Sequence, residues 1–185
     1  MLIVLDRDGV INADTDDYVK CLAEWHPLPG AIEAIARLSR AGHTVAVATN
    51  QAGLARGLFD LDDLEAIHAE LERRVTDAGG ALAGIFYCPH HPEDGCECRK
   101  PRPGLLDAIA RELLVDLGDS VVIGDSLRDL EAGTARGCRP LLVRTGKGSR
   151  SLRELSERGG APWPHFAVVD DLAAAADLLL GEAEA

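Results

Sequence analysis

The chain has 185 residues, 46% of them hydrophobic and 27% charged, a balance typical of a globular protein with a full apolar core. Its formal net charge of −12 disfavours binding to nucleic acid or to an anionic membrane surface, so any phosphate site needs a local cluster of cations. The segment MLIVLDRDG lacks the features of a signal peptide, and no apolar run is long enough to span a membrane. We therefore expect one cytoplasmic domain over residues 1–185.

Short β-rich runs alternate with amphipathic helical patterns along the chain. Strands are predicted at residues 2–5, 44–48, 85–87, 120–123, 140–143 and 166–169. Helices are predicted at residues 29–40, 61–78, 103–114, 127–136 and 172–180. The polar segment 147–164 is expected to form a surface loop with a short helix. The alternation predicts an α/β fold, a Rossmann-like parallel sheet of five to six strands with helices on both faces.

Polar groups directly follow four of the predicted strands. They are Asp6-Arg7-Asp8, Thr49-Asn50-Gln51, Cys88-Pro89-His90 and Gly124-Asp125-Ser126. Residues of these types also end strands and cap helices, so any one group alone would indicate little. Because ligands bind beyond the carboxyl ends of parallel strands, four such groups together predict a functional crevice.

The carboxylates in these groups predict phosphoryl transfer. Asp6 and Asp8 lie two residues apart, so in an extended segment their side chains face the same way and could share a cation with Asp125. Oxygen ligands favour Mg²⁺, which would keep Asp6 ionised. Asp6 is the predicted nucleophile that forms an aspartyl-phosphate, and Asp8 is the predicted proton donor and later the base for water. The alternative for Asp8 is a turn residue before Gly9.

A phosphoryl group also needs hydrogen-bond donors and positive charge. Thr49 and Asn50 offer a hydroxyl and an amide, although this pair also caps helices. Arg99 and Lys100 supply the expected cations. Further cations are available at Arg7, Arg56 and Arg102. An Arg-Lys pair is usually solvated surface, but the prolines that follow this one indicate a stiffened loop.

A run of cysteine and histidine has the pattern C-x-H-x₅-C-x-C, made by Cys88, His90, Cys96 and Cys98. Four nitrogen and sulfur ligands without an open position are typical of structural Zn²⁺, and a disulfide is the weaker alternative. His91 competes with His90 as the nitrogen ligand. Because the Arg-Lys pair directly follows Cys98, bound zinc would also hold these two cations in place.

Four segments of the chain, taken together, resemble the motifs of the haloacid-dehalogenase superfamily of phosphatases. They are Asp6-Arg7-Asp8-Gly9, Thr49-Asn50-Gln51, Arg99-Lys100-Pro101 and Gly124-Asp125-Ser126 with Asp129. Within that superfamily, residues 2–145 are similar to the heptose bisphosphate phosphatases, of the histidinol-phosphatase-like subfamily. The cysteine-histidine run that ends in Arg-Lys-Pro is the most specific part of this likeness.

The resemblance implies a role for each motif. Asp6 would be the nucleophile, Asp8 the general acid and base, and Thr49 and Lys100 would stabilise the phosphoryl group. Mg²⁺ would bind the Asp6 carboxylate, the Asp8 backbone carbonyl and Asp125. This arrangement would leave the Asp8 side chain free for proton transfer.

The resemblance also implies the remaining ligands. The zinc nitrogen would come from His90 rather than His91. Substrate contacts would involve Arg7, Asp14, Thr15, Asp16, Asp17, Asn50, Gln51, Ala52, Arg99 and Ser126. Bacterial heptose enzymes of the family carry Ser and Lys at the positions of Ala52 and Ser126, so one cation is missing here. The short intervals between motifs leave no room for a cap domain.

The activity implied by the resemblance is Mg²⁺-dependent removal of the C7 phosphate of D-glycero-D-manno-heptose 1,7-bisphosphate, in nucleotide-heptose and lipopolysaccharide core synthesis. Three alternatives stay open: a histidinol-phosphate phosphatase, a nucleic acid 3′-phosphatase, which the net charge disfavours, and a catalytically silent zinc-stabilised binding module. We expect a monomer that acts on a small phosphorylated sugar, without nucleic acid or membrane partners. The sequence leaves the preferred anomer undecided, and His68 is expected to be structural.

Overall fold

The computed structural model describes residues 1–183, so the last two residues of the predicted domain 1–185 lie outside the described part. The strands are β1 (Leu2–Leu5), β2 (Thr44–Asn50), β3 (Gly84–Cys88), β4 (Val121–Gly124), β5 (Arg139–Val143) and β6 (Ala167–Val169). They form one six-stranded parallel sheet in the order β3-β2-β1-β4-β5-β6. No helix within residues 1–183 has both the length and the apolar content needed to cross a membrane.

Helices connect the strands and cover both faces of the sheet. They are α1 (Ala31–Arg40), α2 (Ala52–Ala55), α3 (Leu61–Asp77), α4 (Gly104–Leu113), α5 (Leu127–Thr134), α6 (Gly148–Glu157) and α7 (Leu172–Ala183). Single 3₁₀ turns lie at Leu22–Glu24 and Pro92–Asp94. The predicted α/β fold with a parallel sheet is therefore confirmed, at the upper end of the expected strand number.

The strands are apolar on both faces because a parallel sheet covered by helices is buried on both sides. Ile3 and Leu5 of β1 belong to a cluster that also contains the buried faces of α1, α3 and α7. Leu2 and Val4 alternate with them and face the opposite cluster, to which α4 and α5 contribute. Strand β1 is thus fixed by packing on both sides, which makes its carboxyl end a rigid platform.

The connections diverge at the centre of the sheet. From β1 the chain moves outward to β2 and β3, and it then returns to β4 on the other side of β1. In open α/β sheets such a divergence opens a crevice at the carboxyl ends of the central strands, where ligands bind. Within residues 1–183 the segments after β1 and β2 hold only loops, 3₁₀ turns and α1 to α3, so the predicted lack of a cap domain is confirmed.

Some boundaries differ from the sequence predictions. Strand β2 continues through Thr49 and Asn50, which we had placed after it, because these residues pair with the last two residues of β3. The segment expected to be mainly loop contains the ten-residue α6, whose inner face carries Ser151 and Leu155, four residues apart. Helix α2 was not predicted, since four residues are too few to show a helical period.

Candidate active site

A cavity of about 220 Å³ opens where β1, β2 and β4 end. Because these strands are neighbours and parallel, the residues that follow them meet at one edge of the sheet. Most of the predicted site residues line this cavity: Asp6, Asp8, Asp14, Thr15, Asp16, Thr49, Asn50, Gln51, Arg99, Lys100, Asp125 and Ser126.

Asp6 lies directly beyond β1, where its backbone N–H donates to the carbonyl of Ile123 in β4 at 2.9 Å. Its carboxylate forms a cluster with those of Asp125 and Asp129, in which one oxygen of each lies within 4.8 Å of the others. The Nζ atom of Lys100 lies 2.9 Å from Asp6 Oδ1 and 2.6 Å from Asp129 Oδ1. It also donates to a carbonyl of β2 at 2.6 Å. One ammonium group therefore contacts two of the three carboxylates in the cluster.

The charges in this cluster do not balance. Burial, followed by the charge of Asp129, raises the pKa of Asp6 to about 7. Burial, followed by the charges of Asp6 and Asp129, raises the pKa of Asp125 to about 8. Burial alone would lower the pKa of Lys100, but the adjoining carboxylates raise it. The excess negative charge and the oxygen donors fit a hard divalent cation such as Mg²⁺.

Asp129 is the member of the cluster to which the sequence analysis gave no separate role. It lies in the first turn of α5, and its Oδ2 accepts from the backbone N–H and the hydroxyl of Ser126 at 3.0 and 2.8 Å. The available signal was the spacing Ser126-x-x-Asp129, which is typical of a helix start. This spacing predicts the cap but not the contact with Lys100.

The side chain of Asp8 lies outside the carboxylate cluster, contrary to the expectation from its spacing to Asp6. Arg7 donates to it through Nε and Nη2 at 3.0–3.2 Å. The side-chain amides of Asn12 and Gln51 each donate to it at 2.9 Å. Burial would raise the pKa of Asp8, but the charge of Arg7 and these hydrogen bonds lower it. Three donors therefore hold the Asp8 carboxylate in one orientation.

Arg7 was expected to contact the substrate, but its side chain does not line the cavity. Its side chain is fully buried, and the guanidinium faces Asp8 and His68 instead of the cavity. Two further predicted contacts also lie outside the cavity lining. Ala52 is buried at the start of α2, and Asp17 is exposed in a turn. A strand end fixes where a side chain begins, but the path of the following loop decides where it points.

Asn50 connects β2 to the segment that carries Lys100. Its Nδ2 donates to the Lys100 carbonyl, and its Oδ1 accepts from the Lys100 backbone N–H, both at 3.1 Å. Gln51 Nε2 donates to Thr49 Oγ1 at 2.9 Å in addition to its bond with Asp8. Both amides thus line the cavity and also hold the groups that surround the nucleophile.

Lys147 lines the cavity, although the sequence analysis placed it in a surface loop. Its backbone N–H donates to Asp125 Oδ2 at 2.7 Å, and its Nζ lies 2.5 Å from Asp14 Oδ2. The signal was a lysine just beyond β5, at the same edge of the sheet. Three more lining residues had no predicted role: Tyr18, Val19 and Arg128.

The predicted zinc residues Cys88, His90, Cys96 and Cys98 converge on one point. The three Sγ atoms lie 3.3–3.6 Å from one another. His90 Nδ1 lies 3.1 Å from Cys98 Sγ and 3.6 Å from Cys88 Sγ. All five cysteines are free, so none of these residues is in a disulfide. The four ligand atoms have the spacing and chemistry of a closed tetrahedral site.

Comparison with known proteins extends these observations. Residues 97–175 match the family model described as HAD-hydrolase-like. The chain is 56% identical over 180 residues to the D-glycero-beta-D-manno-heptose-1,7-bisphosphate 7-phosphatase of Pseudomonas aeruginosa, with 97% of each chain covered. The chain belongs to the heptose 1,7-bisphosphate 7-phosphatase family of HAD-like hydrolases. The family member from Bordetella bronchiseptica is 53% identical over 182 residues, which cover 98% of this chain and 99% of that one.

Solved structures of heptose bisphosphate phosphatases share the fold. The crystal structure of the B. bronchiseptica D,D-heptose 1,7-bisphosphate phosphatase, complexed with magnesium and phosphate, matches with a TM-score of 0.91 at 51% identity over 98% of both chains. The structure from Burkholderia thailandensis matches with a TM-score of 0.73 at 42% identity over 97% of both chains. The resemblance to this phosphatase family and to the haloacid-dehalogenase superfamily is therefore confirmed.

Proposed function

We propose that this phosphatase removes the C7 phosphate of D-glycero-β-D-manno-heptose 1,7-bisphosphate by Mg²⁺-dependent hydrolysis. One observation carries the proposal: the Asp6 carboxylate faces a polar cavity and contacts Lys100, in a chain 56% identical to an enzyme named for this substrate. The β anomer is proposed because the names of the relatives specify it. It would place the reaction in lipopolysaccharide core synthesis.

Asp6 is the proposed nucleophile. Its carboxylate oxygen attacks the phosphorus atom, the bond from phosphorus to the C7 oxygen breaks, and the phosphoryl group is carried as an acyl phosphate. Asp8 gives a proton to the departing oxygen and then takes one from the water that hydrolyses the acyl phosphate. Phosphate leaves, and both carboxyl groups return to their starting states. Lys100 and Thr49, which line the same cavity, stabilise the charge on the phosphoryl oxygens.

The environment of Asp8 suits this double role. Arg7 favours the ionised form of Asp8 in the free enzyme, where its pKa is lowered. A phosphoryl group that enters the cavity adds negative charge beside Asp8 and favours uptake of a proton. Once that proton has passed to the leaving oxygen, Arg7 again favours the carboxylate, which is the form needed to activate water.

The proposed Mg²⁺ ligands are the carboxylates of Asp6 and Asp125 and the backbone carbonyl of Asp8. The donor set fits this ion, because its oxygens are hard ligands and because burial, followed by the charges of the neighbouring carboxylates, raises the pKa values of Asp6 and Asp125. Bound there, Mg²⁺ supplies the charge that keeps Asp6 ionised and offsets the charge of the phosphoryl oxygens.

The cations around the cavity fit the second phosphate of a bisphosphate. Arg99, Arg128 and Lys147 all line the cavity beside the catalytic Lys100. The Nη1 atom of Arg99 is buried and has no hydrogen-bond partner within the described residues, so it is available to an anionic oxygen. Lys147 forms an ion pair with Asp14, and a phosphate oxygen would take the place of the Asp14 carboxylate in this pair. The cation absent at Ser126 is thereby supplied by Arg128 in α5 and by Lys147, which directly precedes α6.

The other substrate contacts proposed for the sugar are polar residues of the same cavity. They are Asp14, Thr15, Asp16, Asn50, Gln51 and Ser126. Short polar side chains of this kind suit the hydroxyl groups of a heptose, because each hydroxyl both donates and accepts a hydrogen bond.

Structural Zn²⁺ is the proposed occupant of the cysteine-histidine cluster. Burial, followed by hydrogen bonds and charge from the neighbouring cysteines, raises the pKa of Cys98 to about 12, so three thiolates need a cation to coexist. Cys98 directly precedes Arg99 and Lys100 in the chain. Zinc at this cluster would therefore fix the backbone that carries both cations, and Asn50 holds the same backbone from β2.

We further propose that residues 1–185 form one phosphatase domain that acts as a monomer in the cytoplasm. The monomer is proposed because one chain supplies every residue of the cavity. The cytoplasm is proposed because the zinc cluster needs reduced cysteines.

Phosphate release with and without Mg²⁺ tests the proposed function. The substrates are both anomers of the heptose bisphosphate, histidinol phosphate and a 3′-phosphorylated oligonucleotide. We expect Mg²⁺-dependent release with the highest kcat/KM for the β anomer, and no turnover by a folded Asp6→Asn variant. A preference for histidinol phosphate would contradict the proposed substrate but leave the proposed phosphatase mechanism in place. Release from none of them would leave a zinc-stabilised binding module.

A further inference from the structure

Arg7 makes one contact that the reaction mechanism does not explain. Its buried guanidinium binds Asp8 through Nε and Nη2, while Nη1 lies 3.2 Å from Nε2 of His68. His68 projects from the inner face of α3 and is 9% exposed. Its ring packs against Tyr87 of β3, with ring centroids 5.8 Å apart. The contact therefore joins α3 and β3 to the residue that grips Asp8.

These contacts define the state of the His68 ring. Guanidinium nitrogens donate hydrogen bonds and do not accept them, so Nε2 of His68 carries the lone pair and Nδ1 carries the proton. Burial, followed by the charge of Arg7, lowers the pKa of His68 to about 4, and the ring is neutral at neutral pH. A protonated ring would instead place two cations in contact at this buried site.

The shape of the guanidinium carries the effect of His68 to Asp8. Nε and Nη2 form one edge of the planar group and grip Asp8, while Nη1 projects away from that edge. Fixing Nη1 therefore fixes the direction of the edge that faces Asp8. Without an acceptor for Nη1, the guanidinium would turn or admit water, and the Asp8 carboxylate would lose one of its three restraints.

We propose that His68 is a positioning residue, which accepts a hydrogen bond from Arg7 and thereby orients Asp8 toward the leaving oxygen. The inference rests on the proposed role of Asp8 as proton donor. Asn12 and Gln51 hold Asp8 independently, so loss of His68 weakens proton transfer without abolishing it. We expect a loss of about tenfold, below the 10²- to 10⁴-fold that a proton-transfer group contributes.

Two substitutions separate this role from simple packing. His68→Leu fills similar space but offers no acceptor, whereas His68→Gln offers an amide oxygen to Arg7. The readout is kcat/KM for the heptose bisphosphate and for p-nitrophenyl phosphate, whose leaving group departs without a proton. For each substrate, kcat/KM depends only on the steps up to departure of the leaving group. We expect His68→Leu to lose about tenfold on the sugar phosphate and less than about twofold on the aryl phosphate.

The variants give results that decide the proposal. His68→Gln should recover most of the activity that His68→Leu loses on the sugar phosphate. In an Asp8→Asn background, His68→Leu should lower activity no further, because the effects of substitutions in residues that act as a unit are not additive. Equal losses on both substrates, a glutamine variant as impaired as the leucine variant, or full activity of His68→Leu would each overturn it. A failure of the proposed substrate is distinguishable, because the wild type would then hydrolyse the aryl phosphate and not the heptose bisphosphate. In that case, another alkyl phosphate that the enzyme hydrolyses would replace the heptose bisphosphate as the test substrate for the His68 variants.

A measurement on the wild-type protein covers the case in which His68→Leu does not fold. ¹⁵N NMR of the imidazole should show Nδ1 protonated and Nε2 unprotonated from pH 6 to pH 8. The Nε2 resonance should move in a folded Arg7→Lys variant, in which the donor changes. A protonated ring, the opposite tautomer, or no response to Arg7→Lys would overturn the proposal.

Discussion

Gly9 is the position where a single methyl group should affect catalysis most directly. It follows Asp8 with φ +85°, and a Cβ atom built there would lie 2.1 Å from Oδ2 and 2.7 Å from Cγ of Asp125. Real Cβ atoms essentially never approach other atoms within 3.0 Å, so the Asp125 oxygen must retreat by about 0.9 Å. Asp125 is a proposed metal ligand, and a displacement of this size at an active site lowers activity by about 10²-fold.

The backbone strain of the substitution is separable from this displacement. A left-handed φ costs about 1–2 kcal/mol for a residue with a Cβ atom. Gly42 has the same φ of +85° but nothing within 4 Å of its Cβ position, so Gly42→Ala is the matched control. Both variants bear this backbone strain in urea denaturation, and Gly9→Ala should lose further stability because the displaced Asp125 oxygen also moves away from the Lys147 N–H. Only Gly9→Ala should lose kcat and require more Mg²⁺ for half-maximal activity.

Two results would refute this reasoning. If Gly9→Ala kept wild-type kcat and its response to Mg²⁺, the contact between Gly9 and Asp125 would not position the metal ligand. If Gly42→Ala lost as much activity as Gly9→Ala, the effect would come from backbone strain rather than from the displaced carboxylate.

Four further predictions concern the metals and the second phosphate. Cys96→Ser should remove zinc, measured by mass spectrometry, and should lower kcat by about 10²-fold because Lys100 loses its position. Cys21→Ser lies outside the cluster and is the control, and a fully active zinc-free protein would contradict the prediction. Mg²⁺ affinity, measured by calorimetry, should rise at least about tenfold from pH 6 to pH 8, because protons occupy Asp6 and Asp125 below their pKa values of about 7 and 8. The same raised pKa values mean that the metal-free protein loses stability as pH rises from about 4 to 8. The Mg²⁺-induced gain in Tm should therefore be larger at pH 8 than at pH 6, and equal gains at these two pH values would contradict this account. Lys147→Met should raise KM for the bisphosphate by about tenfold and affect p-nitrophenyl phosphate less, and equal effects on both substrates would argue against a second-phosphate contact.

The sequence alone predicted the fold class and the order of the chemical groups. Alternating apolar runs and helical periods are local patterns, so strands such as β1 and helices such as α3 could be placed within a few residues. Parallel strands bring their carboxyl ends together whatever the loops do, and this rule placed Asp6, Thr49 and Asp125 around one cavity. The spacing of the cysteines and His90 likewise predicted a cluster that the structure forms.

The tertiary structure decided which way the side chains beyond the strands point. Arg7 and Asp8 are adjacent in the chain, yet Arg7 turns into the core and Asp8 reaches the cavity. Lys147 joins the cavity through contacts with Asp14 and Asp125, which are remote from it in sequence. Such contacts depend on how α5 and α6 pack against the sheet and on which charges remain unbalanced after burial, and no local period in the sequence records either quantity.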